Sequence, residues 1–577
     1  MIRTKVLGAA MAGVLLLAAC GGDDSGDEAA TTTAATATTT AGGGATSTTS
    51  GSEAPATTEG GASTTAGGGA TTTTEPAATP ASIPECDASV TPAAAGAAAA
   101  IPADATTTRD KIVIGSTLAP ANLDITTGSG AAIPAALLYN VYETLVKIDA
   151  EGQFQPLLAS SYEISEDGTV YTFHLRDGLT FQNGDALTAE DVAFSFNNGQ
   201  ANLAAGKAPA IIAQTLAPIS CLSAVDDSTV VIQLKQRSRN FLYDIAQTGG
   251  VIVDETALAD VATKPVGSGP FQFVSYDQGN RLELAAYPDY WGAKPALQNV
   301  EFRYITDNRA LADSIRSPDG VDMIDNLEPE LFSGFEGDSD FQTINSVTNG
   351  ETILAFNNAR APLDDERVRQ AIRYAIDRNA VNEIAEGGYA QIIGSWSSPN
   401  DPWFVDHASD FPYNPDKAKQ LLEEAGATDL KLTIQVPPTP YAMNSAQVIQ
   451  SQLADVGIDV TLNDIEFPLW IDQVFSKGDY DMTIISHVEA RDIVLFGNPD
   501  YYWHYDNPEV QQLLKQADAA ATDEESNALY AQVQQIVSDD AALGYLFLLP
   551  GLTVAKAGIE GIPEGGKSLS YDLTNLK

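Results

Sequence analysis

Five short runs between residues 140 and 196 decide the fold: NVYETLV (140–146), QPLLASSY (155–162), DGTVYTFHLRDG (167–178), FQNGD (181–185) and LTAEDVAFSF (187–196). The segments 161–164 and 170–175 flank Glu166-Asp167-Gly168, and a turn sequence in that position predicts a β-hairpin. In the second strand the apolar side chains share one face and His174 occupies the other, where we expect solvent. This part of the chain is therefore expected to form an antiparallel sheet.

Farther along the chain, the periodicity of apolar residues predicts an α/β region. Residues 430–436 and 458–462 alternate apolar and polar side chains as strands do, and a helical pattern lies between them. This strand-helix-strand order is typical of a βαβ unit, in which the two strands are parallel. A further strand at 482–485 extends the predicted, largely parallel sheet.

Two helices are marked by their apolar spacing and their end signals. Residues 364–386 have the pattern of one long amphipathic helix that stops at Gly387-Gly388. Asn414 followed by Pro415 begins a second helix, and Gly426 ends it.

The composition excludes several classes of protein. The chain has 577 residues, with 30 Lys+Arg against 77 Asp+Glu and a formal net charge of -47, so a nucleic-acid-binding protein is excluded on charge. Three cysteines and four histidines do not favour a disulfide-dense scaffold or a multi-cysteine metal site. We therefore expect no metal and no cofactor.

The first twenty residues have the pattern of an export signal. Arg3 and Lys5 precede an apolar run, residues 6–19, that is too short to span a bilayer. The run ends in Leu-Ala-Ala-Cys20, which resembles the lipobox of bacterial lipoproteins, where the cysteine carries the lipid and becomes the mature N-terminus. The alternative is an ordinary secretory signal, residues 1–20, with a cysteine there by chance.

Residues 21–108 are predicted to be a disordered tether. They are rich in Thr, Ala, Gly and Ser, contain no Lys or Arg, and have almost nothing apolar to bury. Cys86 lies late in this tether and Cys221 lies in the folded body. In an oxidising compartment the two either pair, which would pin the tether to the body, or remain free thiols.

The runs quoted at the start strongly resemble the family 5 extracellular solute-binding proteins of ABC transporters. Four later segments agree in order and spacing: PVGSGPF (265–271), YPDYW (287–291), LAFNN (354–358) and VRQAI (368–372). The resemblance implies an α/β fold, the periplasmic-binding-protein type II clamshell, with two lobes that close on a solute and an inserted extra subdomain. Binding then shifts an open/closed equilibrium.

The resemblance also implies where the lobes begin and end. Lobe I is expected to comprise residues 109–145, 264–350 and 545–577, so that the chain crosses between lobes near 350 and 544. The inserted subdomain is expected at 146–263, and lobe II at 351–544.

The ligand-binding residues implied by the resemblance lie mainly in the loop after the strand at 480–486. In peptide-binding members an acidic residue of this loop holds the amino terminus of the ligand, within an aromatic-rich loop. Here the loop reads His487-Val488-Glu489-Ala490-Arg491-Asp492, which departs from the usual Trp-x-x-Asp, so the acid is either Glu489 or Asp492.

Three further side chains complete the candidate site, together with His487. Arg491 either pairs with a ligand carboxylate or neutralises Asp492. Trp396 lies in the loop that corresponds to another ligand-lining segment, and Tyr501, Tyr502 and Trp503 follow nearby as aromatic side chains that would add contact area. The alternative for each aromatic residue is a place in the core or at the rim of the cleft.

Taken together, the sequence predicts a lipid-anchored, monomeric solute-binding protein on the extracytoplasmic face of the membrane, which delivers peptides to an ABC permease and its ATPase and is not an enzyme. Within the same fold the alternative is a nickel-chelate or opine binder. Outside it, the alternatives are a surface lipoprotein for sensing or adhesion, and an extracellular hydrolase with a triad assembled across the cleft around His487.

Overall fold

The computed structural model describes residues 82–105, 109–128, 130–149, 152–488, 491–563 and 568–577. The predicted signal peptide, the lipobox Cys20 and the tether as far as residue 81 lie outside these ranges, as does Glu489. Within the described ranges no helix has both the length and the apolar character that crossing a membrane requires.

The strands of the described ranges begin at Arg109 and end at Lys556. In chain order they are β1 Arg109–Ser116, β2 Val146–Ile148, β3 Phe154–Pro156, β4 Ala159–Ile164, β5 Val170–Leu175, β6 Ile219–Asp226, β7 Thr229–Leu234, β8 Phe271–Asp277, β9 Arg281–Ala286, β10 Leu297–Tyr304, β11 Met323–Ile324, β12 Phe341–Phe356, β13 Gln391–Ile392, β14 Leu430–Val436, β15 Ile458–Asp464, β16 Met482–His487 and β17 Leu543–Lys556.

The α-helices of the described ranges lie before, between and after groups of these strands. They are α1 Ala132–Leu137, α2 Ala189–Ala204, α3 Ala210–Leu216, α4 Phe241–Ile245, α5 Asn308–Ser314, α6 Pro329–Phe332, α7 Glu366–Ala375, α8 Arg378–Glu386, α9 Pro415–Ala425, α10 Pro440–Asp455, α11 Phe467–Trp470, α12 Pro508–Ala519 and α13 Asp523–Asp539.

One continuous sheet runs through both lobes, in the strand order β15-β14-β16-β12-β17-β11-β1-β10-β9-β8, with β13 on β17. The long antiparallel strands β12 and β17 lie at its centre. Residues 351–355 of β12 pair with β16 and with the start of β17, while residues 341–347 pair with the end of β17. The pairing register of β12 with β17 shifts between Val347 and Glu351, as at a β-bulge. The two halves of the β12–β17 ladder are therefore joined by an irregular segment.

The βαβ prediction is confirmed. Strands β14 and β15 are parallel and α10 connects them, and β16 is parallel to β14 on its other side. The sheet becomes antiparallel at β12 and β17. Strand β17 begins at Leu543 beside β12 and pairs with β11 at Val554–Ala555.

The prediction of one helix over residues 364–386 is wrong. The chain forms two helices, α7 and α8, separated at Ile376 and Asp377, which have extended backbone dihedral angles. The Asp377 carboxylate accepts from the backbone N–H groups of Asn379 and Ala380, so it caps the second helix. The apolar spacing continues across the break because both helices pack on the same core.

The inserted subdomain is built on a second, four-stranded sheet in the order β4-β5-β7-β6. Strands β4 and β5 form the predicted antiparallel hairpin. Phe173, Phe181, Phe196 and Phe241 fill the core between this sheet and the helices α2 to α4.

Residues 82–105 lie across this second sheet, which differs from the expectation of a disordered tether up to residue 108. Ile83 is buried, and Cys86 forms a disulfide with Cys221 of β6. The backbone N–H groups of Ala93 and Ala99 donate to Thr172 and Ser160, on β5 and β4. The segment is held by backbone hydrogen bonds and by the disulfide, neither of which apolar content reveals.

The expectation that His174 faces solvent is wrong, because residues 82–105 cover it. Its Nε2 lies 3.2 Å from the carbonyl oxygen of Ala93 and 3.2 Å from Glu163 Oε2. The polar face of the second sheet is therefore a contact surface for the N-terminal segment.

Three of the sequence runs that carry the family resemblance meet at one buried carboxylate, Glu143. It accepts hydrogen bonds from Ser268 Oγ (2.8 Å), Tyr290 Oη (2.8 Å) and Trp291 Nε1 (2.9 Å). We call these four residues the Glu143 knot. It ties the NVYETLV run to the GSGP and YPDYW runs, which lie 125 to 148 residues farther along the chain.

Candidate functional site

The candidate site lies at the lobe II end of the large sheet. Strand β16 is buried along its whole length and ends at His487, which is opposite Glu351 on β12. Side chains of directly paired residues lie on the same face of a sheet. Ile353 and Ile485, each two residues away, belong to the same hydrophobic cluster as Trp396 and Trp503. The periodicity of two therefore places His487 and Glu351 on the face that this aromatic cluster covers.

Asp492 lies against this cluster and is 8% exposed. Its Oδ1 accepts a hydrogen bond from Trp396 Nε1 at 2.5 Å, and its Oδ2 lies 3.6 Å from His487 Nδ1. The structure thus brings together three of the predicted site residues, from segments almost a hundred residues apart.

His487 is neutral in this setting, because burial lowers its pKa to about 3. Its Nε2 lies 3.0 Å from Tyr502 Oη, and burial raises the pKa of that phenol well above its usual value. When the protonated phenol donates to Nε2, the ring proton is on Nδ1 and faces Asp492. We call Asp492, Trp396, His487 and Tyr502 the Asp492 cluster. The Trp396 indole N–H orients the carboxylate, and the neutral His487 ring lies beside it without adding a positive charge.

Aromatic rings enclose the cluster. Tyr501 is 6% exposed, and its ring centroid lies 4.4 Å from that of Trp503 and 6.4 Å from that of His487. The Trp396 ring is in edge contact with His487 at 4.9 Å and with Phe496 at 5.5 Å. Such a lining supplies apolar area and shape around a few polar groups, as small-molecule sites do.

Arg491 precedes Asp492 but extends toward the inserted subdomain. Its Nη1 lies 3.4 Å from both the carbonyl oxygen of Arg239 and Asn240 Oδ1. The guanidinium also lies 5.3 Å from the Tyr243 ring and 5.5 Å from the Trp403 ring. Arg491 therefore connects lobe II with the subdomain.

Glu489, the alternative acid of this loop, lies outside the described residues, so the structure places only Asp492. Sequence reasoning missed Glu351, which is 3% exposed. The available signal was a charged side chain two residues before the apolar run Ile353–Phe356 of a buried strand. In the described ranges no group of three or more His, Cys, Asp or Glu side chains is placed to hold a metal ion.

Sequence comparison and structure comparison with known proteins both point to solute-binding proteins. The profile of bacterial extracellular solute-binding proteins, family 5 Middle, matches residues 153–492. A probable D,D-dipeptide-binding periplasmic protein of Escherichia coli strain K12 is 30% identical over 479 residues, which cover 77% of this chain and 90% of that protein.

Two solved structures share the fold. The ABC transporter-associated periplasmic binding protein DppA from Helicobacter pylori, in complex with peptide STSA, has a TM-score of 0.69 and 23% identity, and covers 81% of this chain and 97% of its own. The binding protein AgaA with agropinic acid, from A. tumefaciens R10, has a TM-score of 0.69 and 26% identity, and covers 81% and 98%.

Proposed function

The chain belongs to the bacterial extracellular solute-binding proteins of family 5, and on this premise we propose that it captures short peptides with a free amino terminus. The peptide binds between lobe II and the half formed by lobe I and the inserted subdomain. The closed form delivers it to an ABC permease, which is driven by a separate ATPase. Closure sequesters the ligand because it contacts both halves only when they are shut.

The observation that supports a cationic ligand group is the geometry of Asp492. A buried carboxylate, oriented by the neutral Trp396 donor and flanked by the neutral His487 ring, attracts an ammonium group strongly, because a charged pair is less screened away from water. The aromatic lining then contacts the apolar parts of the ligand. An amino terminus supplies both the charge and the N–H donors that this arrangement fits.

The names of the related proteins support a peptide ligand. One relative is named a probable D,D-dipeptide-binding protein, and one solved structure holds the peptide STSA. Another solved structure holds agropinic acid, so opines belong in the test panel beside peptides and nickel chelates.

A thermal-shift panel tests the proposal. Alanyl-alanine, N-acetyl-alanyl-alanine, agropinic acid and nickel-histidine are compared, and small molecules released from the purified protein by denaturation are identified by mass spectrometry. A ligand at a hundredfold excess over its Kd stabilises the native state by about 2.7 kcal/mol. We expect stabilisation by peptides with a free amine, and none by the acetylated form, which lacks the charge.

Equal stabilisation by the free and acetylated peptides would contradict the role of the amine. Stabilisation only by agropinic acid or nickel-histidine would assign the protein to that ligand class. No released solute and no shift from any class would favour sensing or adhesion over transport.

A binding role without turnover is expected from the cluster itself. Asp492, His487 and Tyr502 lie in a row, but the hydroxyl at the end of the row is a buried phenol with a raised pKa, which is a poor nucleophile. Incubation with a peptide followed by mass spectrometry should recover the peptide intact. Cleavage that is lost in His487→Ala would instead show a hydrolase.

The lipid anchor is also part of this proposal and rests on the sequence around Cys20. Two or more acyl chains on one cysteine give stable membrane attachment, whereas one chain is marginal. The protein is then held at the extracytoplasmic face of the cell membrane. Cys20→Ala should leave the protein unprocessed or release it into the medium, as cell fractionation would show. Unchanged membrane association would refute the anchor.

A further inference from the structure

Two arginines, one from each side of the cleft, reach across to the opposite side. From lobe II, the guanidinium of Arg491 lies within 5.8 Å of Phe154 and 5.3 Å of Tyr243, both in the inserted subdomain. These distances are within the range of cation–π attraction. Asp244 of the same subdomain is 5% exposed. Burial raises the pKa of Asp244 to about 7, and the nearby charge of Arg491 opposes that rise.

Arg239 makes the reciprocal connection from the inserted subdomain to lobe II. Its backbone N–H donates to Asp518 Oδ1 at 3.1 Å, and its Nη2 donates to the carbonyl oxygen of Ala520 at 2.7 Å. Its Nη1 forms an ion pair with Asp523. These three acceptors lie at the end of α12 and the start of α13, so one side chain and its backbone join the subdomain to two helices of lobe II.

The two arginines also contact one another. Nη1 of Arg491 lies 3.4 Å from the carbonyl oxygen of Arg239, the residue whose side chain points the opposite way across the cleft. Arg491 adopts a left-handed backbone conformation, with φ of 66°, which is unfavourable for a residue with a side chain. This conformation directs Arg491 to the subdomain, while Asp492 remains against the aromatic cluster of lobe II.

We infer that Arg239 and Arg491 form a reciprocal clasp that holds the subdomain on lobe II, and that Arg491 is a positioning residue for Asp492. This inference rests on the proposed function for the role of Asp492, but the clasp itself does not depend on any ligand. Consecutive residues then perform two tasks: Asp492 receives the ligand amine and Arg491 secures the closed cleft. Arg491 and Asp492 share a peptide unit, so closure of the subdomain on lobe II restricts the position of the Asp492 carboxylate. Conversely, a ligand that holds the Asp492 carboxylate in place favours the closed state.

The clasp differs from the prediction that Arg491 pairs with a ligand carboxylate. The two roles can be distinguished by comparing ligands with and without a carboxylate. A clasp residue supports the binding of every ligand equally, because it acts on the closed state. A carboxylate partner supports only ligands that carry a carboxylate. Alanyl-alanine and alanyl-alaninamide differ in that group alone.

The first test needs no ligand. Fluorophores at Glu190 on α2 and Gln512 on α12, both exposed, report the distance between subdomain and lobe II in the full-length protein by single-molecule energy transfer. Arg239→Ala and Arg491→Ala should each shift the ligand-free population toward the longer distance. The Asp523 side chain is 83% exposed, so Asp523→Asn should not disturb folding. This variant should give a smaller shift in the same direction.

Arg237→Ala is the matched control. Arg237 is two residues from Arg239, but its guanidinium donates within the subdomain, to the carbonyl oxygens of Asp167 and Glu166. It should leave the distance unchanged. Equal distributions for wild type, Arg239→Ala and Arg491→Ala would overturn the clasp, whatever ligand the protein takes.

The second test measures dissociation rates of alanyl-alanine and alanyl-alaninamide by stopped flow. Loss of the clasp should accelerate dissociation of both by about tenfold and leave association nearly unchanged, since buried contacts act mainly on dissociation. Acceleration confined to alanyl-alanine in Arg491→Ala would identify a carboxylate partner and overturn the positioning role. If neither compound binds wild-type protein, the peptide proposal fails while the distance measurement still decides the clasp.

Discussion

Glu143 and Asp492 are both buried carboxylates that accept a hydrogen bond from a tryptophan indole, yet they belong to different kinds of site. Glu143 is completely buried, and three neutral donors from two other sequence runs surround it. Asp492 retains slight exposure beside an aromatic cluster and is one residue from an arginine that spans the cleft. The first arrangement joins three distant sequence runs, and the second is the one that we propose receives the ligand.

The contrast teaches where a family signature comes from. The runs that identify the family converge on the Glu143 knot, so they report a folding requirement. The loop 487–492 departs from the family pattern, and it carries the candidate ligand contact. A resemblance can therefore be strong over the body of a chain while the ligand is decided by residues outside the signature.

Removal of the Glu143 carboxylate should have the largest effect, and on stability. Glu143→Ala leaves three donors without their acceptor: Ser268, which is buried, and Tyr290 and Trp291, which are half-buried. An unsatisfied buried group costs about 1–3 kcal/mol, so we expect a total loss of about 4 kcal/mol. Urea unfolding measures it. Peptide affinity of the protein that remains folded should be unchanged. A loss below about 1 kcal/mol would break the comparison, because the knot would then not stabilise the fold.

Removal of the charge on Asp492 should act on binding instead. Asp492→Asn keeps the shape and an oxygen for Trp396, so stability should change little. Loss of a buried charge partner typically costs 2–5 kcal/mol, and we expect a decrease in peptide affinity of about 3 kcal/mol by calorimetry. The acetylated peptide is the control ligand and should bind both forms equally weakly. Full affinity in Asp492→Asn would move the amine to Glu489 or elsewhere.

The pH dependence of the unfolding free energy should report the neutral state of His487 in the Asp492 cluster. We expect a smaller effect than for the two substitutions above. His487 has a pKa of about 3 when folded, against about 6.5 in an unfolded chain, so the unfolded state binds more protons between these values. Its contribution to stability is complete above pH 6.5 and is lost as the pH falls, at up to about 1.4 kcal/mol per pH unit.

His487→Asn removes this titration, so the difference in unfolding free energy between the variant and wild type should shift in favour of the variant from pH 7 to pH 5. Chemical unfolding at each pH measures that difference. His174→Asn is the control, since His174 lies on the second sheet away from the cluster. A constant difference for His487→Asn would mean that the ring is not held neutral.

The smallest effects should come from a matched pair of tryptophan substitutions. Trp291→Phe and Trp396→Phe each remove one indole N–H donor to a carboxylate and retain most of the ring. A hydrogen bond contributes about 0.5–1.5 kcal/mol between neutral groups and about 1.5–3 kcal/mol to a charged group, and burial raises the pKa of Glu143 to about 7, so we expect about 1.5 kcal/mol in each case. Trp291→Phe should lower the unfolding free energy, and Trp396→Phe should chiefly lower peptide affinity. Equal changes in unfolding free energy and in peptide affinity for the two variants would contradict the distinction between the Glu143 and Asp492 sites.

Local sequence signals predict several elements well. Asn414 caps α9 by accepting from the Lys417 N–H group, and Gly426 ends the helix in the left-handed region, as the sequence indicates. The β4–β5 hairpin and the β14–α10–β15 unit are also as predicted. Each of these depends on residues close together in the chain, where dihedral preferences and apolar spacing decide the outcome.

The site is only partly predictable. The sequence analysis names Trp396, His487, Tyr501 and either Glu489 or Asp492, and the structure places the first three beside Asp492. Glu351 is missed because its position beside His487 depends on the register of β12 against β16, which no local pattern encodes. The sequence does not predict which way the Arg491 side chain points, for the same reason. Its partners Arg239 and Asn240 are about 250 residues away in the chain.

The sequence by itself determined the family, the α/β class and the main local elements, because these follow from periodicity, capping and turn chemistry within short windows. Only the tertiary structure decided which polar groups meet: the three donors on Glu143, the His487–Asp492 contact, and the contacts of Arg239 and Arg491 with distant parts of the chain. The physical reason is that a buried polar group needs a partner at hydrogen-bond distance. Strand register and the packing of lobe against subdomain select that partner from anywhere in the chain.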